Sequence, residues 1–137
     1  MNIAIVSFGK NPVLDSARKI FAKSLYNKGN IVKEINADLE KSPLVGFQYV
    51  IFLVDAGSLF SGGSYESFNK FLKEHDNINT NYAGIYINKR PFANKHFLRY
   101  MSLLESFGVI INSSGIIDGD KTAADFIENL KPVKLGA

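Results

Sequence analysis

From Tyr49 to Val54 the chain runs Tyr-Val-Ile-Phe-Leu-Val, a stretch of apolar, β-branched and aromatic residues with no polar alternation. Such a run suits a strand buried on both faces, as in a parallel sheet covered by helices on each side. At Asp55 the composition switches to Asp-Ala-Gly-Ser-Leu-Phe-Ser-Gly-Gly, ending at Gly63. This segment reads as a loop just past the carboxyl end of the strand. In open α/β sheets that is where ligands bind.

The rest of the pattern fits around this strand. Ile3 to Val6 is a second short buried strand. Asn11 and Pro12 then open a helix, Asn as the N-cap and Pro at the first helical position. Val13, Leu14, Ala17, Ile20, Phe21, Ala22 and Leu25 recur at helical spacing, and the helix stops at Asn27-Lys28-Gly29. Ile31 to Ile35 alternates like an edge strand. Asn36 to Gly46 is a polar connection with one helical turn expected around Leu39. After the Asp55–Gly63 loop, Ser64 is expected to cap a helix whose buried face carries Phe68, Phe71 and Leu72.

Asp76 to Asn81 reads as a loop and Tyr82 to Ile87 as the next strand. Asn88 to Asn94 is a second candidate site loop. Phe97 to Phe107 is a helix stopped by Gly108. Val109 to Ile111 is a fifth strand, Ser113 to Asp120 a loop, and Thr122 to Leu130 the last helix, with a tail from Lys131 that should fray. Strands alternating with helices imply a doubly wound parallel sheet with helices on both faces, three layers in one domain over residues 1–137.

The charge of +3 is mild and does not by itself point to nucleic acid. No cysteine is present, so disulfides, thiolate metal sites and cysteine nucleophiles are excluded, which fits a reducing compartment. The N-terminus opens directly into a strand pattern without a signal-like segment. No apolar run approaches the ~20 residues of a membrane span. A cytoplasmic protein is therefore expected.

Tyr100 to Leu130 resembles the end of short-chain flavodoxins. Leu104, Gly108, Ile117-Asp118-Gly119-Asp120 and Ala123-Ala124 match a helix ended by glycine, a strand, an Asp-Gly-Asp turn and an Ala-rich last helix. Ile3 to Leu25 can be laid on the same family without gaps. The resemblance implies a five-stranded sheet of order 2-1-3-4-5 with FMN at the carboxyl ends of the strands. The family's phosphate loop, Thr/Ser-x-Thr-Gly-x-Thr, corresponds to Ser7-Phe8-Gly9-Lys10-Asn11-Pro12. Ser7 keeps the first hydroxyl. Gly9 and Pro12 replace the other two, Lys10 stands where the family has glycine, and Pro12 lacks a backbone donor. Gly57-Ser58-Leu59-Phe60 is similar to the Gly-Ser-Pro-x-Tyr/Phe of flavodoxin-like reductases, and Phe92 falls near the family's outer stacking aromatic. The resemblance thus implies phosphate contacts from Ser7, Gly9, Lys10 and Asn11. It implies ring contacts from Ala56, Gly57, Ser58, Phe60, Asn88 and Phe92. The acidic surface of those carriers is missing here.

Other constellations have plainer roles open to them beside functional ones. Lys89, Arg90, Lys95, His96 and Arg99 cluster after the fourth strand, either as an anion site or as a solvated helix start. His75 is expected to face solvent. The two histidines are far apart and no spacing resembles a metal site. Asp55 is expected to cap the Gly57 or Ser58 amides, and Asp118 and Asp120 the last turn and helix. Ser58 and Ser61 have no evident histidine partner, so no catalytic residue is assigned. A receiver domain would need paired acids after the first strand, which Ser7-Phe8-Gly9 does not supply. The first expectation is an FMN-binding carrier that transfers electrons to a redox-partner protein. The alternative keeps the fold without FMN and binds an acidic partner or another nucleotide. A third is an FMN-dependent NAD(P)H or quinone reductase.

Overall fold

The computed structural model describes residues 1–75 and 82–132. The loop expected over Asp76–Asn81 and the tail from Val133 lie outside them. Nine elements follow in order: β1 (Asn2–Phe8), α1 (Pro12–Asn27), β2 (Ile31–Asn36), β3 (Tyr49–Val54), α2 (Tyr65–Glu74), β4 (Tyr82–Asn88), α3 (Ala93–Ser106), β5 (Ile110–Ile117) and α4 (Asp120–Asn129). All four strand pairings are parallel and the sheet order is β2-β1-β3-β4-β5. The expected doubly wound architecture is the one observed.

Every residue of β3 has zero exposure. Alternate side chains of the sheet serve opposite faces. Val50, Phe52 and Val54, with Val6, Phe8 and Ile85, meet Phe68 and Phe71 of α2 and Tyr100 and Leu104 of α3. Tyr49, Ile51 and Leu53, with Ile3, Ile5 and Tyr86, meet Leu14, Phe21 and Leu25 of α1 and Ala123 and Ile127 of α4. The first face is mainly aromatic: Phe8 lies edge-on to Phe68 at 5.0 Å and to Phe71 at 5.2 Å. The start of α1 is as expected, with Asn11 Oδ1 accepting from Val13 N at 3.0 Å and Leu14 N at 3.1 Å.

The structure corrects three local expectations. First, β5 does not stop at Ile111 but continues through Asn112-Ser113-Ser114-Gly115 to Ile117. These residues look like a loop, yet they answer a buried polar group two strands away. The Tyr49 hydroxyl reaches Ser113 Oγ at 2.9 Å and also donates to Asn112 Oδ1. It passes over Gly84 of β4, where a Cβ would lie 3.2 Å from that hydroxyl and 2.5 Å from Ser113 Oγ. A register shift beside Gly84 sets Asn112 as the extra residue of a bulge.

Second, His75 does not face solvent. Its ring stacks on Phe71 at 3.9 Å, with Nδ1 2.7 Å from Phe71 O and Nε2 3.1 Å from Ser42 O. Third, Ser64 holds the N-cap position of α2 without a side-chain capping bond, and Asp118 accepts from the Thr122 hydroxyl while Gly119 occupies the N-cap of α4. The turn expected around Leu39 is present as a single α-turn, Glu40 N to Asn36 O at 3.0 Å.

Burial pushes the Tyr49 phenol well above its ordinary range, only partly offset by the Ser113 bond, and burial raises Tyr86 as well. The neutral phenols therefore stabilise the fold fully below the unfolded-state pKa of ~10 and lose that contribution as pH rises beyond it. Tyr49→Phe should cost roughly 1–3 kcal/mol at neutral pH, because it takes the Tyr49 bond from the half-buried Ser113 hydroxyl. Urea unfolding at neutral and alkaline pH should also show a shallower alkaline loss in this variant than in the parent. Equal slopes would refute the assignment of Tyr49 to the alkaline transition.

Candidate functional site

The parallel sheet brings the β1–α1, β3–α2 and β4–α3 loops to one edge. In the first loop, Ser7 lies on the α1 side of β1, and its hydroxyl is buried without a hydrogen-bond partner among the described residues. Gly9 has φ +85°, and a Cβ there would lie 2.6 Å from both Asp55 Cβ and Ser64 Oγ, so only glycine fits. Its N–H donates to Asp38 Oδ2 at 2.7 Å. The Val13 and Leu14 amides of α1 are occupied by Asn11 Oδ1. Lys10 is exposed, and its own amide and that of Asn11 make no hydrogen bond to the chain among the described residues.

In the second loop Asp55 Oδ1 accepts from Gly57 N at 2.8 Å, as expected of a carboxylate in that place. Ser58 N donates to Ser61 O at 2.9 Å, the two hydroxyls meet at 2.9 Å, and Phe60 N points at Ser58 Oγ at 3.3 Å. This tight turn lifts Phe60 to 94% exposure, with Leu59 beside it also exposed. Phe60 does not pack beneath its own loop.

The third loop is laced to the second. Asn88, 4% exposed, accepts from Ala56 N at 2.7 Å and donates to Gly57 O at 3.0 Å. Arg90 Nη1 donates to Ala56 O at 2.6 Å. Phe92 stands at the start of α3 with φ 60°, the left-handed region, and is 78% exposed. It offers no capping bond, and Lys95 and His96 follow in the first turn. A β-carbon in that conformation, an uncapped start and cations at the positive helix end all work against local stability. Beside Phe92 a cleft of about 620 Å³ is lined by Lys89, Asn94, Lys95, Ile116 and Asp118 among others. Arg99 stacks its guanidinium 3.7 Å above the Tyr65 ring. Desolvation first, and then the charges of Arg90, Arg99 and Lys95, hold the His96 imidazole below its usual range. Among the described residues, neither ion pair involves these cations.

The sequence-derived residues thus fall into distinct groups. Ala56, Gly57 and Asn88 are bonded to one another and form the floor between the two loops. Phe60 and Phe92 are free aromatic faces on adjacent loops. Ser7, Gly9, Lys10 and Asn11 lie together at the neighbouring β1–α1 loop. Two residues outside that set matter as well: Arg90 ties the loops, and Asp38 sits on Gly9. The Asn-x-Asp pattern just after β2 is the signal that would have placed Asp38, since β2 lies beside β1 in the sheet. No group of three or more His, Asp or Glu among the described residues could hold a metal ion, and no nucleophile–base pair is assembled.

This arrangement suits a planar aromatic ligand against Phe60 or Phe92. The phosphate half of the edge fits less completely: the unpartnered Ser7 hydroxyl and the Lys10 and Asn11 amides suit an anion, but Asp38 holds the Gly9 donor.

Comparison with solved structures gives the class. The fold is that of flavodoxins. The chain superposes on the two-electron reduced flavodoxin of Megasphaera elsdenii with a TM-score of 0.76 at 9% identity, covering 92% of this chain and 93% of that one. For oxidised flavodoxin 1 of Bacillus cereus the TM-score is 0.68 at 11% identity, covering 96% and 100%. For the Fusobacterium nucleatum flavodoxin bound to flavin mononucleotide it is 0.65 at 15% identity, covering 93% and 95%. No protein-family model and no curated protein sequence matches the chain. Among the described residues, no helix is long and apolar enough to cross a membrane.

Two outcomes follow from the third loop. Phe92→Gly should raise stability by about 1 kcal/mol, since glycine adopts φ 60° without strain; a loss on urea unfolding would mean that the ring packs on the protein. In an NMR titration His96 should titrate below the ordinary 6.5. Lys95→Glu should move it upward, and no movement would rule out the cationic field.

Proposed function

We propose that this chain is a flavodoxin-like FMN-binding electron carrier, with the flavin ring at the carboxyl edge against Phe60 and Phe92. The observation that carries this reading is the pair of exposed aromatics, 94% and 78% exposed, on two loops joined through Ala56, Asn88 and Arg90. Two exposed rings on loops laced to each other, with Leu59 exposed beside Phe60, suit stacking against a planar aromatic ligand. Bound FMN would supply one- and two-electron chemistry. The chain would hold the ring by stacking and through the Ser58 carbonyl, since Gly57 N and O and Ser58 N already have partners within the loops. The phosphate end would face Ser7, Lys10 and Asn11. The protein would then be a carrier rather than an enzyme with its own acid or base. The absence of cysteine suits a reducing cytoplasm.

A second reading is favoured by the Asp38–Gly9 bond, 2.7 Å, which occupies a donor that a phosphate would use. In that reading the domain carries no FMN, and the basic face from Lys89 to Arg99 binds an acidic partner or another nucleotide.

Fluorescence titration of FMN with the purified protein separates the two. The first reading expects saturable quenching with micromolar or tighter affinity, weakened about tenfold by Phe60→Ala or Phe92→Ala. Absence of quenching up to high protein concentration rejects it in favour of the second.

A further inference from the structure

The hydrogen bonding of the β1–α1 loop singles out Asp38. Its carboxylate is held in place, although it is exposed. Ala37 N donates to Ser7 O at 2.9 Å, Asp38 N to Asn36 Oδ1 at 3.1 Å, and Glu40 N to Asn36 O at 3.0 Å. This turn at the end of β2 sets Oδ2 2.7 Å from Gly9 N. On its other side Gly9 lies close against Asp55 and Ser64, where a Cβ would come within 2.6 Å of each. A phosphate dianion entering here would compete for the same N–H and meet the negative charge of Asp38, with Asp55 close behind. Neither carboxylate is neutralised by an ion pair among the described residues. A carboxylate bonded to an amide makes a charge-assisted bond, stronger than a neutral one, so it is not displaced freely. Like charges at contact distance repel, and most strongly at low salt.

We propose that Asp38 is a specificity-determining residue: it fills the anion position of the β1–α1 loop with the chain's own carboxylate, so that FMN is held by its ring and binds no tighter than a flavin without a phosphate ester. This rests on the reading that the edge takes a flavin. Affinity then comes from the ring side, through Phe60 and Phe92, and the phosphate contributes little until Asp38 is removed. The unpartnered Ser7 hydroxyl and the free amides of Lys10 and Asn11 are the donors that become useful to a phosphate once it is.

The test is a set of titrations of the parent protein, Asp38→Asn and Asp38→Ala with riboflavin and with FMN, beside ¹⁵N NMR of the Gly9 amide during addition of inorganic phosphate. The parent should bind riboflavin at least as tightly as FMN. Asp38→Asn removes the charge and Asp38→Ala also vacates the seat, and each should shift the preference toward FMN by at least tenfold. The Gly9 amide should respond to phosphate in both variants and not in the parent. A parent that prefers FMN tenfold, or an unchanged preference in the variants, overturns the proposal. If no flavin binds any of the three proteins, the flavin reading itself fails, and the phosphate titration decides alone. A Gly9 response confined to the variants then upholds exclusion of anions by Asp38, and an equal response in all three overturns it.

Discussion

Complete burial of β3 is the constraint on which the rest of the molecule depends. A strand with no exposed residue must be paired on both edges and covered on both faces. Pairing with β1 and β4 meets the first requirement, and α1 with α4 on one side and α2 with α3 on the other meet the second. The parallel sense of those pairings follows from the helical crossovers, and it collects the loops after β1, β3 and β4 at one edge. The edge where these loops meet is thus a by-product of how the apolar run from Tyr49 to Val54 is kept from water.

That logic explains which features were legible in the sequence. Buried strands announce themselves by unbroken apolar runs, and α1 by its cap, its Pro and its spacing, so the architecture could be read almost whole. β5 could not, because its central residues are chosen to satisfy the Tyr49 hydroxyl rather than to fill a core. A polar segment that answers a partner 64 positions away looks like a loop when read alone. The place of His75 is hidden for the same reason, since the carbonyl of Ser42 that meets it is distant in sequence. The site divides similarly. Phe60, Phe92 and the Asp55 turn lie in short segments with their own signals. Asp38 and Arg90 act across strands, through contacts visible only when neighbouring loops are seen together.

Charge is sorted along the edge. Carboxylates of Asp38 and Asp55 flank Gly9 at the β1 end, with Lys10 exposed beside them, whereas Lys89, Arg90, Lys95 and Arg99 gather around the start of α3, with Asp118 in the same cleft. The chain's small net charge of +3 conceals this gradient. The exposed rings of Phe60 and Phe92 lie on the loops after β3 and β4. The start of α3 is therefore the place on this edge to which the acidic surface of a partner would be drawn.

The lacing of the two aromatic loops has a mechanical side. Ala56 gives its N–H to Asn88 and its carbonyl to Arg90, while Asn88 also holds the Gly57 carbonyl. Three hydrogen bonds over two residues of backbone moor the base of the Phe60 loop to the base of the Phe92 loop. The two loops therefore share one anchorage, and a substitution at Asn88 or Arg90 loosens the footing of both.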